Sequence, residues 1–267
     1  MNYKVKTIVS LVMLLTSGVV LAAGNTGPNS VYIEQIGSSN NVTIEQVGGT
    51  NTVGGTTVDV ATAVAAGTGV TTLTPAAPSA SNYGTITGSN NNVTITQHGT
   101  DNSAQYNITG SKNTYTSTVT GNSNQTKLTV NNGAPGAGVS TNSTITETIT
   151  GNSNTVIQDI TSSRYTSTTS ITGDSNQITN TATTTGTLSS TSHTINGDSN
   201  IINSQQVDTG THTLVTDTTG DYNSISTQQQ GSNNSTMNIV TNGDHNTITV
   251  RSTNSASITN PITAIAR

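Results

Sequence analysis

The sequence predicts an all-β fold, a β-solenoid in which strand–turn–strand rungs of about 22 residues stack into two facing parallel sheets. Three observations predict it. The chain of 267 residues is poor in both apolar and charged residues. A turn-like tetrad recurs along it with a preferred spacing of 11, and the residues between tetrads alternate with period two.

The composition limits what can hold this chain together. Only 29% of the residues are hydrophobic, 3% aromatic and 7% charged. A globular domain has about half apolar and a quarter charged residues, whereas disordered proteins are usually more highly charged. There is no cysteine for a disulfide. Stability must therefore come from backbone hydrogen bonds around a thin apolar seam.

Residues 1–23 are predicted to be a signal peptide. Lys4 and Lys6 precede an apolar stretch that is too short and interrupted for a membrane span, and Ala22 and Ala23 end it as a small-residue cleavage site. Without this leader the chain has five basic and twelve acidic residues, a formal charge of −7. That charge argues against nucleic acid and anionic membranes as partners. The sequence thus predicts soluble export, with no membrane span after leader removal.

The tetrad consists of Gly, two small polar residues and Asn. It begins at Gly37, Gly48, Gly88, Gly99, Gly110, Gly121, Gly151, Gly173, Gly197, Gly220, Gly231 and Gly243. Gly and Asn tolerate the positive φ that tight turns need, so each tetrad is predicted to be a turn. The steps of 22–24 residues in the C-terminal half are interpreted as doubled units whose middle turn has lost the tetrad.

The residues between turns indicate strands with one buried face. Residues in phase with the Asn are mostly apolar, as in Val42 and Ile44 before Gln46, and those out of phase are polar, as in Thr43 and Glu45. A strand of about five residues and a turn of about six, twice over, make one rung. Stacking at about 4.8 Å pairs neighbouring strands and lets inward Gln and Asn form amide ladders.

The repeats divide the chain in order. We expect a first rung at 24–51, a low-complexity insertion at 52–82, the main run of repeats at 83–254 and a C-terminal strand or tail at 255–267. The insertion is rich in Ala, Val, Gly and Thr, and is placed at the Gly48 turn. Pro261 in the tail disfavours further strand addition.

The spacing of Gln, Gly and Asn resembles the curlin repeat of bacterial curli fibres. In that repeat a Gln stands two residues before the Gly, an Asn three residues after it, and a second Gln six residues after the Asn. The positions carrying the resemblance are Gln35, Gly37, Asn40, Gln46, Gly48, Asn51, Gln97, Gly99, Asn102, Gln229, Gly231 and Asn234, and Gly110, Asn113, Gly121 and Asn124 continue the Gly and Asn columns. The resemblance covers residues 31–250 apart from the insertion, and many units have Ile or Val in place of Gln.

The resemblance implies an extracellular amyloid fibre subunit of a biofilm matrix that mediates adhesion. It also implies passage through the periplasm and a dedicated outer-membrane pore, and self-association or pairing with a related subunit through the ladder residues. The uneven rung lengths leave two alternatives open. One is a monomeric β-solenoid, either an adhesin or an ice-binding protein, and the other is a passive fibre-associated or phage-type structural protein.

Stacking would place four turn carboxylates in one column, at Asp174, Asp198, Asp221 and Asp244. Clustered oxygen ligands suit Ca²⁺, so this is a candidate cation column. Asp is also a common turn residue that deters edge pairing, and the resemblance implies such a gatekeeper role. Both interpretations stand at this point.

A second column set lies on the outer face of one sheet. Its members are Thr94, Thr96, Thr114, Thr116, Thr118, Thr120, Thr144, Thr146, Thr148, Thr150, Thr166, Thr168 and Thr172. A flat array of Thr is typical of ice-binding solenoids, although Thr is also an ordinary residue of solvent-facing strands.

Nothing in the sequence indicates an enzyme or a cofactor. The four histidines, His98, His193, His212 and His245, lack the spacing of metal ligands. No nucleophile–base pattern or phosphate loop stands out, and a thin solenoid offers little room for a pocket. We therefore expect a non-enzymatic protein without a cofactor.

Overall fold

The computed structural model describes residues 18–23, 29–54, 58–59, 74–75, 84–130, 140–162, 164–183, 189–207, 212–230, 235–243, 246–253 and 262–266. Throughout these ranges the backbone is strand, bend or extended chain, and none of it is helical. Accordingly, these ranges contain no helix that is long and apolar enough to cross a membrane. The all-β prediction is confirmed.

The described residues form 24 strands. They are β1 (Gly18–Ala23), β2 (Ser30–Val31), β3 (Ile33–Ile36), β4 (Asn41–Val47), β5 (Thr52–Val53), β6 (Val58–Asp59), β7 (Thr74–Pro75), β8 (Gly84–Ser89), β9 (Asn92–His98), β10 (Ser103–Ser111), β11 (Thr114–Thr120), β12 (Gln125–Val130), β13 (Ser140–Thr141), β14 (Thr144–Thr150), β15 (Thr155–Thr161), β16 (Tyr165–Thr172), β17 (Gln177–Thr183), β18 (Ser189–Asn196), β19 (Ile201–Val207), β20 (His212–Thr219), β21 (Ser224–Gln230), β22 (Ser235–Asn242), β23 (Thr247–Thr253) and β24 (Ile262–Ala266). A typical strand has seven residues, so the strands are longer than the five residues expected, and the turns between them are correspondingly shorter.

Apart from β6 and β7, which form a separate antiparallel pair, the strands form two stacked parallel sheets. Sheet A has the order β1-β4-β9-β11-β14-β16-β18-β20-β22-β24. Sheet B has the order β2-β5-β10-β12-β15-β17-β19-β21-β23; in addition, β8 and β13 pair with β10, and β3 pairs with β8. The chain alternates between the sheets, so each rung gives one strand to each, and neighbours pair in parallel along both. The predicted β-solenoid is confirmed.

The apolar seam lies between the two sheets, as the alternation predicts. Of the side chains in phase with the tetrad Asn, Ile95 and Tyr106 are fully buried in the N-terminal rungs, and Ile178 and Ile225 in the C-terminal ones. They belong to two separate apolar clusters. Because each rung adds only a few such side chains, the backbone ladders between rungs must supply much of the stability.

The tetrad turn has positive φ at its first and third residues. In the turn 121–124, φ is 127° at Gly121 and 57° at Ser123. A Cβ added to Gly121 would lie 1.8 Å from the carbonyl oxygen of Gly151 in the next rung, so only Gly fits. Asn124 does not have positive φ. The expectation that Asn is selected for its φ was therefore wrong, and its side chain must explain its presence.

The two edges of the solenoid differ. At the edge where the chain passes from sheet A to sheet B, tetrads recur in successive rungs. They begin at Gly48, Gly99, Gly121, Gly151, Gly173, Gly197, Gly220 and Gly243. We call this the regular edge. The opposite edge, which we call the variable edge, has tetrads at Gly37, Gly88 and Gly110, and later connections of other lengths such as 131–143 and 162–164.

The insertion interrupts a strand of sheet B and does not lie at the Gly48 turn. Val53 still pairs with Ala104, and the strand resumes with Gly84 beside Tyr106. Tyr32 joins the two halves, since its N–H donates to the Val53 carbonyl and its carbonyl accepts from the Gly84 N–H, both at 2.8 Å. The excursion is thus 55–83, and omitting it reduces the Gly48–Gly88 step of 40 residues to the usual 11.

Candidate functional site

The Asn side chains of the regular edge form a continuous hydrogen-bonded ladder. The Asn124 N–H and Nδ2 both donate to Oδ1 of Asn102, at 3.0 and 3.1 Å. Nδ2 also donates to the Gly151 carbonyl oxygen at 2.7 Å, and Oδ1 accepts from the N–H and Nδ2 of Asn154. Asn124 is fully buried. Each amide therefore satisfies two backbone groups of the following rung and bonds the Asn side chain of the preceding one.

This Asn ladder runs the length of the described solenoid. Its members are Asn29, Asn51, Asn102, Asn124, Asn154, Asn176, Asn200, Asn223 and Asn246. Asn29 was missed in the sequence because Thr, not Gly, stands three residues before it. Its distance of 22 residues from Asn51 is the signal that could have identified it.

A shorter ladder follows the variable edge. Asn40, Asn91 and Asn113 are linked as on the regular edge, with side-chain amide bonds of 3.1 and 3.0 Å. In the next rung Ser143 takes the Asn position, and its N–H donates to Asn113 Oδ1 at 3.1 Å. A serine hydroxyl cannot continue the amide-to-amide bonds, so the structure brings the predicted Gly and Asn residues together in two ladders of unequal length.

The predicted Gln column is confined to two rungs. Nε2 of buried Gln46 donates to Oε1 of Gln97 at 2.9 Å, and the next inward side chain of that column is Val119. Gln35 is not part of it, since it lies on sheet B beside Ile86. Gln229 lies far along sheet B between Gln206 and Ser252, and the predicted tetrad Gly231–Asn234 lies outside the described residues.

Unpartnered polar atoms occur near both ends of these ladders. At the C-terminal end, the Asn246 N–H donates to Asn223 Oδ1 at 3.1 Å, but its buried Nδ2 has no partner in the protein. At the N-terminal end, the buried Oε1 of Gln46 has none. The outer edge of β4, where Gln46 lies, is covered by β1, whose last residue is Ala23. Thus each end of the solenoid retains hydrogen-bonding capacity.

The predicted Asp column also lies on the regular edge. Oδ1 of Asp174 accepts a hydrogen bond from the backbone N–H of Asn152 at 2.6 Å. In the same way, Asp198 accepts from the N–H of Asp174, and Asp221 from the N–H of Asp198. Because a backbone N–H bonds a carboxylate oxygen more strongly than a neutral oxygen, Asp is a favourable residue at this turn position. Asp244 lies outside the described residues. Within the described ranges, no three His, Cys, Asp or Glu side chains are close enough to hold a metal ion. The cation column stays a prediction.

The outer face of sheet A presents the Thr array that the sequence predicts. Its rows are in register, and all four outward residues of β11 pair with Thr on β14, for example Thr116 with Thr146. The register continues to Thr94 on β9 and Thr168 on β16. The Thr side chains lie at least partly in solvent. The array therefore forms a regular, uncharged surface across four rungs.

A buried polar network that the sequence reasoning missed crosses the core. The Tyr115 hydroxyl donates to Glu147 Oε2 at 2.7 Å, and Gln158 Nε2 donates to Oε1 at 2.6 Å. Ser167 Oγ donates to Gln158 Oε1 at 2.8 Å. Burial raises the pKa of Glu147 to about 7, against the opposing effect of these hydrogen bonds. The signal was available, because Glu147 is out of phase with the outward Thr146 and Thr148.

Comparisons with known proteins identify no relative of this chain. No protein-family model matches it, and neither does any curated protein or solved structure. The curlin resemblance therefore remains an expectation from the sequence pattern. What the chain can do must be argued from its ladders, its ends and its outer faces.

Proposed function

We propose that this chain is an exported, non-enzymatic structural protein whose copies stack end to end into extracellular fibres of the curli type. The observation that carries the proposal is the unpartnered Nδ2 of Asn246, at the end of a ladder in which internal Asn amides donate to the next rung. A second copy placed against this end would supply the missing carbonyl oxygen. Strand addition of this kind is a common mode of β-sheet association.

The N-terminal end supports the same assembly. If export removes residues 1–23, β1 is lost and the outer edge of β4 becomes free. The orphaned Oε1 of Gln46 then faces an incoming strand. Stacking adds backbone hydrogen bonds in both sheets at once, so it suits a chain with little apolar surface.

Fibre growth of the chain from Gly24 to Arg267 tests the proposal, with thioflavin fluorescence and electron microscopy as readouts. Because a hydrogen bond contributes about 1 kcal/mol, Gln46→Ala should slow nucleation about fivefold. Gln97→Ala breaks the same Gln–Gln bond one rung inside and serves as the control. Equal slowing by the two variants, or no fibres from the parent chain, contradicts the proposal.

A second candidate is a monomeric ice-binding protein that uses the Thr array. The in-register rows of β11 and β14 favour it, because an uncharged face with two regular spacings can order water in a lattice. Thermal hysteresis without fibres would select this function. It should be lost in Thr146→Lys, at the middle of the array, and kept in Thr179→Lys on the outer face of sheet B.

A further inference from the structure

Three consecutive rungs carry polar side chains in the middle of the core. In sheet A, Thr169, His193 and Thr216 follow one another in register. The facing column of sheet B contains Asn180 and Ser204 in the corresponding rungs. Nearer the N-terminus these two columns contain large side chains instead, such as Ile44, Ile95, Tyr106 and Leu128. The middle of the core thus changes from bulky and apolar to small and polar.

These five polar side chains are deeply buried. Each is at most 3% exposed. Asn180 Nδ2 donates to the Tyr165 hydroxyl at 3.3 Å, and the other polar atoms of the five side chains have no partner in the protein. The atoms without a hydrogen bond are Thr169 Oγ1, Asn180 Oδ1, both ring nitrogens of His193, Ser204 Oγ and Thr216 Oγ1. One rung earlier, Glu147 and Gln158 do bond each other across the core, which shows that the two columns face one another. An unbonded buried polar atom is costly, so a ligand that bonded these atoms would stabilise the fold.

The ligand must both donate and accept hydrogen bonds. Burial lowers the pKa of His193 to about 4, so at neutral pH its ring has one N–H and one bare nitrogen. A cation could bind the bare nitrogen and the oxygens but would leave the N–H without an acceptor. Asn180 Oδ1 in turn needs a donor. Water satisfies all of these groups.

We propose that an internal water site lies between Thr169, His193 and Thr216 of sheet A and Asn180 and Ser204 of sheet B. A buried water makes about three hydrogen bonds, so six orphaned atoms correspond to about two to three ordered waters. The Thr and Ser side chains are smaller than the Ile and Leu of the earlier rungs, and this difference in volume favours room for water here. The site does not depend on fibre formation.

Isosteric removal of the hydroxyls tests the site by thermal unfolding. If Thr169 and Thr216 bind water, Thr169→Val and Thr216→Val each leave a water with one partner fewer. Each should then lower the melting temperature by about 2–4 °C. If the hydroxyls are simply unpaired, the same variants raise it, which overturns the proposal. Thr148→Val, on the exposed outer face of sheet A, is the control and should change little.

A crystal structure of the protein at high resolution provides the second measurement. We expect ordered density within hydrogen-bond distance of His193 and Ser204, and the loss of part of it in Thr216→Val. Direct bonds among the five side chains, with no density between them, would overturn the proposal.

Discussion

At the scale of single residues, the tetrad Asn has a role that no other side chain can fill. Its amide carries an acceptor and two donors. Asn124 Nδ2 donates to Asn102 in the preceding rung and to Gly151 in the following one, and Oδ1 accepts from Asn154. An Asp would lack the donors, and a Gln would place the amide too far from the turn. The amide therefore satisfies turn groups that stacking removes from water.

Truncating one internal ladder residue should be strongly destabilising. Asn154→Ala removes the bonds to Asn124 and Asn176 and leaves the Gly173 carbonyl without its side-chain donor. We expect it to lower the free energy of unfolding by about 2–4 kcal/mol. Asn152→Ala, in the same turn but exposed, should cost less than about 1 kcal/mol. Urea unfolding of both variants checks this, and equal losses would contradict a special role for the buried ladder.

Two buried titratable residues act in opposite directions on stability. The pKa of Glu147 is raised by burial from 4.5 to about 7, so the folded state binds a proton more tightly and stability falls as pH rises through that interval. The pKa of His193 is lowered by burial from 6.5 to about 4, so stability rises with pH there. Each effect is roughly 3 kcal/mol. Since the intervals overlap, they largely cancel.

Single variants should reveal these opposed contributions. Of these two residues, only His193 still contributes in Glu147→Gln, so the melting temperature should increase from pH 4 to pH 6.5. In His193→Leu it should decrease from pH 4.5 to pH 7. Half-buried Asp159, whose pKa burial also raises, adds to the decrease. Calorimetry over this range is the measurement, and parallel profiles in the two variants would show that these residues do not set the pH response.

At the scale of elements, the sheet register explains how a long excursion is accommodated. Gly54 and Gly84 occupy successive positions opposite β10, between the pairs Val53–Ala104 and Thr85–Asn107. The strand therefore continues across the break as if residues 55–83 were absent. Exposed loops tolerate changes of length far better than strands do.

Deletion of residues 55–83 should leave the solenoid intact. Joining Gly54 to Gly84 restores the step of 11 between Gly48 and Gly88. We expect an unchanged far-ultraviolet sheet signal and a melting temperature within about 5 °C of the parent. Deletion of 52–82, the bounds expected from composition, leaves a step of 9 and misaligns the next turn. It should be markedly less stable, and similar behaviour of the two deletions would contradict this register.

The sequence was sufficient for the strands and the regular edge, because the tetrad and the alternation are local signals. The sequence was insufficient to predict hydrogen-bond partners, because the stacking of distant rungs decides which side chains meet. Asn154 bonds Asn124, 30 residues away, only because the variable edge absorbs the extra length at 131–143. The composition changes at residue 52, whereas backbone pairing with β10 persists to Gly54. The sequence therefore could not locate the residue at which the insertion leaves sheet B. The polar core around His193 requires knowledge of which columns face each other.

At the scale of the whole molecule, the two outer faces differ. The outer face of sheet A is the Thr array. On sheet B, Ile157 points outward by alternation yet is only 4% exposed, and β6 of the insertion lies against neighbouring β12. Because β12 is paired on both sides and faces the core, β6 must approach it from outside. The outer face of sheet A is therefore more accessible to other molecules than the outer face of sheet B.

The presence of β1 should control end-to-end association. A chain that begins at Gly18 keeps the strand covering β4, whereas one that begins at Gly24 exposes that edge. We expect the shorter chain to form fibres with a lag at least about fivefold shorter, since a free edge templates pairing. Seeding each chain with preformed fibres of the other tests whether the free edge of β4 is responsible for the difference in lag time. Identical lag times would argue against β4 as the growing edge.

The variable edge also provides attachment points at a fixed spacing along the molecule. Connections at this edge differ in length while the regular edge keeps every rung aligned, so peptides grafted there would project in a single file. Their separation would be a multiple of about 4.8 Å, fixed by the choice of rung. A scaffold of this kind could space epitopes or enzymes along one line with sub-nanometre increments.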